Sequence, residues 1–174
     1  AALAASPDVA EIHCNLGVVQ QLQRQVVAAI DSYDRAIALT PDFAKAHWNR
    51  AIALLLTGRL REGFAAYEWR LRYGGYVTAE GQRRFAIPQW DGAAPRGRRL
   101  LVTAEQGLGD TLQFSRCFAL LTALGADVTF ECPSGLHPFM AQCRGIGALV
   151  DPKDIETAAR SADAHVPLMS LPHL

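Results

Sequence analysis

Gln106, Gly107, Gly109, Asp110 and Gln113 crowd into the stretch LVTAEQGLGDTLQFSR, residues 101–116. Two glycines beside a carboxylate, where an apolar run hands over to a helical pattern, admit three chemistries: a phosphate cradle, a general base, or a helix cap. The dinucleotide fingerprint G-x-G-x-x-G needs three glycines. Gly107 and Gly109 meet the first two positions, but Leu112 occupies the third. The P-loop signature fails outright, because Gly-Lys-Ser/Thr occurs nowhere in the chain. Asp110 weakens the cradle further, since a carboxylate at a helix start occupies the amides and dipole a phosphate would use. A plain cap remains, or a cap that also serves as a base at a cleft edge, with Gly107 and Gly109 leaving space beside it. Glu131, closing the next apolar run, stands where a ribose-binding acid sits in nicotinamide enzymes, which keeps that alternative open.

The elements around this turn follow a regular grammar. LLVTAE is a continuous apolar run, as a strand covered on both faces requires. DTLQFSRCFALLTALG predicts one helix of about 14 residues closed by Gly125. ADVTFEC reads as a second strand, SGLHPFMAQCRG as a short helix, GALV as a third strand and ADAHVPLMSL as a fourth. This alternation predicts an open parallel sheet with right-handed crossovers, the front portion of a larger α/β domain over 99–174. It puts the Gly-Asp turn at the carboxyl edge of the sheet, where such folds bind ligands. His165, near the end of the fourth strand, is either a cleft residue or a structural histidine beside Pro167.

Residues 1–73 obey a different rule. SPD at Ser6–Asp8 recurs as TPD at Thr40–Asp42, and Ala10, Asn15 and Tyr33 match Ala44, Asn49 and Tyr67 at the same 34-residue shift. Leu16-Gly17, Ala29, Tyr33, Ala36 and Pro41 fall where a tetratricopeptide repeat places them, and the segment resembles that family. Helices are predicted over 10–23, 26–39, 44–57 and 60–73: about two repeat units, with AALAA as the tail of a preceding one. Gly17, Ala29 and Ala36 would let helices approach closely, Tyr33 would fill the space between them, and Pro41 would end the second helix. The second unit drifts, with Arg50-Ala51, Gly63, Arg70 and Gly74-Gly75 at positions the pattern fills otherwise. The first helix of each unit would line a concave face. Glu11, Val18, Gln21, Lys45, Trp48 and Ile52, with Cys14 and Leu55, are the candidate contacts for a protein or peptide partner, and Trp48 either anchors that partner or packs on the next element. Residues 74–98, rich in glycine, proline and arginine, read as a linker in which Phe85 and Trp90 dock onto a flanking body and the arginines either meet a phosphate or form a solvated face.

Composition narrows the function classes. Of 174 residues, 17 are basic and 17 acidic, a balance that argues against nucleic acid as the main partner. No apolar run approaches the roughly 20 residues of a membrane-spanning helix. The four cysteines, Cys14, Cys117, Cys132 and Cys143, form no C-x-x-C pair and read as small thiols in a reducing cytoplasm. His13, His47 and His137 are not clustered, and no metal or cofactor site is expected.

EQGLGDTLQFSR, LGADVTFEC and HVPLMSLP, preceded by PQWDG, resemble bacterial proteins that carry tetratricopeptide repeats before a glycosyltransferase-like domain. They are similar, more distantly, to lipopolysaccharide heptosyltransferases and to repeat-bearing protein O-GlcNAc transferases. The resemblance implies a GT-B fold, of which 99–174 would be the incomplete acceptor-side half, and inverting, metal-independent transfer from a nucleotide-sugar. It places the base that deprotonates the acceptor on Asp110, with Gln106, Gly107, Gly109 and Gln113 on the substrate side. The nucleotide-sugar would bind mainly to a second domain of the full-length protein, so this chain alone is expected to be inactive. The competing reading is a non-catalytic interaction module in which the α/β part is scaffold.

Overall fold

The computed structural model describes residues 9–73 and 85–174. The Ser6–Asp8 element of the repeat, the AALAA segment, Gly74-Gly75, Arg83 and Arg84 lie outside the described residues. The chain divides into two compact units.

The first unit is all helix: α1 (Ala10–Leu22), α2 (Val26–Leu39), α3 (Ala44–Leu56) and α4 (Leu60–Tyr67), the last tightening into a 3-10 turn over Glu68–Arg72. All four helices lie where the repeat pattern puts them. Cys14, Ala29, Ile30, Tyr33, Ala36, Ala46, Ala53 and Leu54 form its core. Small residues set the helix spacing. A Cβ added at Gly17 would come within 2.5 Å of the Tyr33 ring, so α1 and α2 pack at a distance only glycine permits. The Tyr33 hydroxyl donates to Gln21 Oε1 at 3.1 Å, and burial pushes its pKa up to about 12. Between hairpins, Asn49 Nδ2 donates to Cys14 Sγ at 3.7 Å, and Arg50 pairs with Asp34. Arg70, one of the drifting positions, is fully buried, with its guanidinium 2.7 Å from Glu68 and over the Tyr67 ring. A buried charge demands such partners, and a 3-10 turn brings residues 68 and 70 together.

The second unit is a four-stranded parallel sheet ordered β3-β2-β1-β4, with β1 Arg99–Thr103, β2 Asp127–Glu131, β3 Ala148–Val150 and β4 Ala164–Pro167. Leu100 to Val102 are completely buried because both faces are covered. On one face Phe118 packs on Phe130, ring centroids 4.8 Å apart. On the other, Leu101 meets Ile155 and Ala159 of a helix at Ile155–Ser161. That helix was not anticipated from the sequence.

The single helix predicted after β1 is instead two, α5 (Leu108–Phe114) and α6 (Cys117–Ala123). The break falls where the Ser115 hydroxyl donates back to the Leu112 carbonyl, a bond that competes with helix continuation. Gly125 does end the second piece, in the left-handed region (φ 91°). A helix at His137–Met140 is α7, and Ile155–Ser161 is α8.

Residues 85–98, expected as linker, build onto this unit. Trp90 N–H donates to the His165 carbonyl (2.8 Å) and His165 N–H to the Pro88 carbonyl (3.0 Å), laying Pro88–Trp90 parallel along the outer edge of β4. Trp90 is buried and Phe85 packs on the Leu101 cluster. At the opposite end of the strands, Arg99 and Asp163 pair at 2.7 Å, with Asp163 also accepting the Arg99 amide.

Two outcomes follow. Gly17→Ala should destabilise the first unit by about 1–3 kcal/mol, since its methyl group overlaps the Tyr33 ring, and Tyr33→Leu in the same chain should recover part of that; an unchanged urea midpoint would mean the two helices are not in this contact. The Arg99 side chain and amide hold Asp163 down to about 2 from its ordinary 3.8. A lowered acid pKa gives stability that is present above the unfolded value and lost as pH falls toward 2. Asp163→Asn should therefore lower the urea midpoint at pH 7 and have a clearly smaller effect at pH 2, where the carboxyl is about half protonated in the folded chain.

Candidate functional site

β1 ends at Thr103, and four residues carry the chain over the carboxyl edge of the sheet into α5. Gln106 turns this corner in the left-handed region, φ 57°, a conformation that costs a side-chain-bearing residue about 1–2 kcal/mol. Gly107 follows, extended, as the N-cap of α5. Asp110 is three residues further on, in the first turn, and its Oδ2 accepts the Gly107 N–H at 3.2 Å. The sequence reading of Asp110 as the cap itself is thus corrected: glycine holds that position with no side-chain oxygen to offer, and Asp110 reaches back to the cap amide. The Asp110 residue is half-buried and its turn faces out from the sheet edge.

The two glycines of the motif lack a conformational reason to be glycine. Neither has a positive φ, and a Cβ at Gly109 would meet nothing within 4 Å, at Gly107 only Asp110 Oδ2 at 3.6 Å. What they leave is open space next to the carboxylate.

Beside this turn lies a cavity of about 200 Å³. Ala104, Glu105 and Gln106 from the β1 exit, Thr111 from α5, Glu131 and Pro133 from the β2 exit, and Pro152 beyond β3 form its walls. Glu105 is 4% exposed and Glu131 2%. Glu105 Oε1 accepts the Met169 N–H at 3.0 Å, tying the exit of β1 to that of β4. Thr111 Oγ1 donates to the Gly107 carbonyl at 3.3 Å.

The structure gathers some of the candidate residues and separates others. Gln106 lines the cavity; Asp110, Gly107 and Gly109 occupy the adjoining turn without lining it. Gln113 is exposed on α5. His165 sits within β4 with its ring edge-on to Phe85, centroids 4.8 Å apart, and burial lowers its pKa. It belongs to the packing beneath residues 85–90, the structural alternative, because its backbone and ring are both engaged there. Glu105 and Thr111 were not singled out in the sequence. The signal for Glu105 was a charged residue terminating an otherwise buried run; Thr111 carried none. Among the described residues no group of three or more His, Cys, Asp or Glu side chains is placed to hold a metal ion. The four thiols are free, with those of Cys14, Cys117 and Cys132 raised in pKa by burial.

In the first unit Val18, Gln21, Trp48 and Ile52 line a groove of about 290 Å³ completed by Leu22, Tyr33, Asn49 and Leu56. Glu11 and Lys45 do not line it. Trp48 lines the groove, and its ring meets Tyr73 at 5.7 Å.

The chain therefore combines a tetratricopeptide-like helical unit with a parallel α/β unit. Comparison with known proteins agrees for the helical unit: residues 25–58 match the tetratricopeptide repeat family. The chain is similar to protein FlbA of Caulobacter vibrioides, at 32% identity, over 73% of its own length and 27% of that protein's. A solved structure of a mutant O-GlcNAc transferase from Thermobaculum terrenum aligns at 19% identity and a TM-score of 0.41, across 95% of this chain and 38% of the other. The chain thus spans well under half the length of either. No described helix is long and apolar enough to cross a membrane.

The strained corner makes a measurable claim. Gln106→Gly relieves the left-handed penalty and should raise the unfolding free energy of the second unit, read from urea denaturation, by up to about 1 kcal/mol, after the added freedom of the unfolded glycine is subtracted; a loss of stability would place the side chain of Gln106 among the contacts holding the turn.

Proposed function

We propose that this chain is the repeat-bearing, acceptor-side part of an inverting, metal-independent glycosyltransferase of GT-B architecture, whose repeats recognise a protein acceptor and whose Asp110 takes the proton from the acceptor hydroxyl. The observation that carries this reading is the situation of Asp110. It stands at the carboxyl edge of a parallel sheet, fixed by the Gly107 amide, with unfilled space at Gly109 and a cavity alongside. A base needs all three: a fixed carboxylate, access, and a place for the substrate. Attack by the deprotonated hydroxyl on the anomeric carbon then breaks the bond to the nucleoside diphosphate, held by a second domain of the full-length protein. The α/β unit supplies the acceptor side of the crevice, and the helical groove around Trp48 supplies a protein-binding surface.

A second reading, a non-catalytic interaction module with an α/β scaffold, is favoured by one observation: the Asp110 carboxylate is engaged by the N-cap amide of Gly107 and does not line the cavity. Two substitutions separate the readings. In the full-length protein Asp110→Asn should lower sugar transfer from a nucleotide-sugar by roughly 10²–10⁴-fold, the usual contribution of a general base. Asp110→Ala should in addition cost the chain about 1 kcal/mol of stability through the lost cap. Transfer that survives in Asp110→Asn removes Asp110 as the base; no transfer by the unsubstituted full-length protein leaves the interaction module.

A further inference from the structure

The 34-residue shift that relates the two hairpins of the first unit also relates their surfaces. We infer that the outward face of α1, formed by Ile12, Asn15, Leu16 and Val19, docks a further helical hairpin, supplied by the full-length protein ahead of this chain and presenting an uncharged face to it. Nothing in this docking depends on sugar transfer.

The second hairpin shows what such a face does. At the shift of 34 the counterparts of the four residues are Ala46, Asn49, Arg50 and Ala53 of α3. All four meet the first hairpin. Ala46 and Ala53 share a core with Cys14, Ile30 and Tyr33, Asn49 Nδ2 donates to Cys14 Sγ, and Arg50 pairs with Asp34. Ala46 and Ala53 are 0% exposed in consequence, and Asn49 9%. On α1 the same positions stand open: Val19 is 49% exposed, Asn15 is exposed, and Ile12 and Leu16 are half-buried. Their spacing places them on one helix face. A hairpin that ends an array keeps its outer face polar, but three of these four residues are apolar. The approach to the helix repeats as well. TPD at residues 40–42 leads from α2 into α3, and SPD at residues 6–8 precedes α1.

Differences between the two faces define the occupant. Arg50 has the Asp34 carboxylate as its partner; Leu16 would leave an acid in that place buried and unpaired, so the docking hairpin carries none there. Ile12 and Val19 are bulkier than Ala46 and Ala53. The hairpin over α1 therefore sits further out, or offers smaller side chains, than the first hairpin does to the second. Asn15 keeps an amide donor for one acceptor on the occupant, as Asn49 does for Cys14.

The test is labelling of introduced thiols by a small maleimide, read peptide by peptide by mass spectrometry, in the full-length protein. Gln23→Cys is the reference, at an exposed position just past α1 whose counterpart Thr57 is exposed too. Val19→Cys should label roughly tenfold or more slowly than Gln23→Cys, because a docked face reacts only through local opening. In the 174-residue chain by itself the two should label alike, while native Cys14, buried in the core of the unit, stays slow and reports that the helices are folded. Should Cys14 label fast there, the decision passes to Leu16→Arg in the full-length protein. That substitution sets an unpaired charge into the contact and should speed labelling of Val19→Cys severalfold with Cys14 still slow. Equal labelling of Val19→Cys and Gln23→Cys in the full-length protein overturns the docking. So does protection of Val19→Cys that persists in the 174-residue chain: lost on dilution it assigns the face to a second copy, and independent of dilution it assigns the cover to this chain itself. Labelling of Val19→Cys that Leu16→Arg leaves unchanged overturns it as well.

Discussion

The hydrogen bond from the Met169 amide to the buried Glu105 carboxylate joins the exits of β1 and β4, neighbouring strands whose crossovers diverge. In an order of β3-β2-β1-β4 the helix after β1 leads toward β2, while β4 lies on the other side of β1. A gap therefore opens between the two exits, and Glu105 spans it. A carboxylate buried there must accept hydrogen bonds, and the peptide amide of Met169 is one donor. With Glu105 so fixed, Gln106 must turn left-handed to bring Gly107 over the edge, and α5 starts with Asp110 facing back toward the turn.

The repeat half was almost fully legible in the sequence, because its rule is local and periodic. Gly17 has to be small where Tyr33 crosses it, and that requirement shows at fixed spacing together with Ala29 and Ala36. The Val18, Gln21, Trp48 and Ile52 grouping followed from the same periodicity. Arg70 read as drift, since a fully buried arginine depends on a 3-10 turn that pairs it with Glu68, and nothing in the repeat pattern encodes that turn.

The α/β half was legible in its strands and less so in its site. Apolar runs located all four strands, yet the helix at Ile155–Ser161 went unseen, its apolar face being little more than Ile155, Ala158 and Ala159 amid polar neighbours. One helix became two because Ser115 offers a competing bond. At the turn, residue types marked Asp110 and Gln106, but Glu105 and Thr111 matter through tertiary neighbours that local spacing cannot reveal. His165 looked like a cleft residue by strand position; only contact with Phe85 and Pro88 shows it held in the packing.

That last contact has a consequence for how the sheet meets other molecules. A bare edge strand offers amides and carbonyls to any extended chain that passes, and is a common starting point for aggregation. Here both backbone groups of His165 are already occupied by Pro88 and Trp90, and proline at the start of the covering segment has no amide hydrogen to extend the ladder. Residues 88–90 act as a selvedge, giving β4 a finished margin that discourages a passing strand from joining.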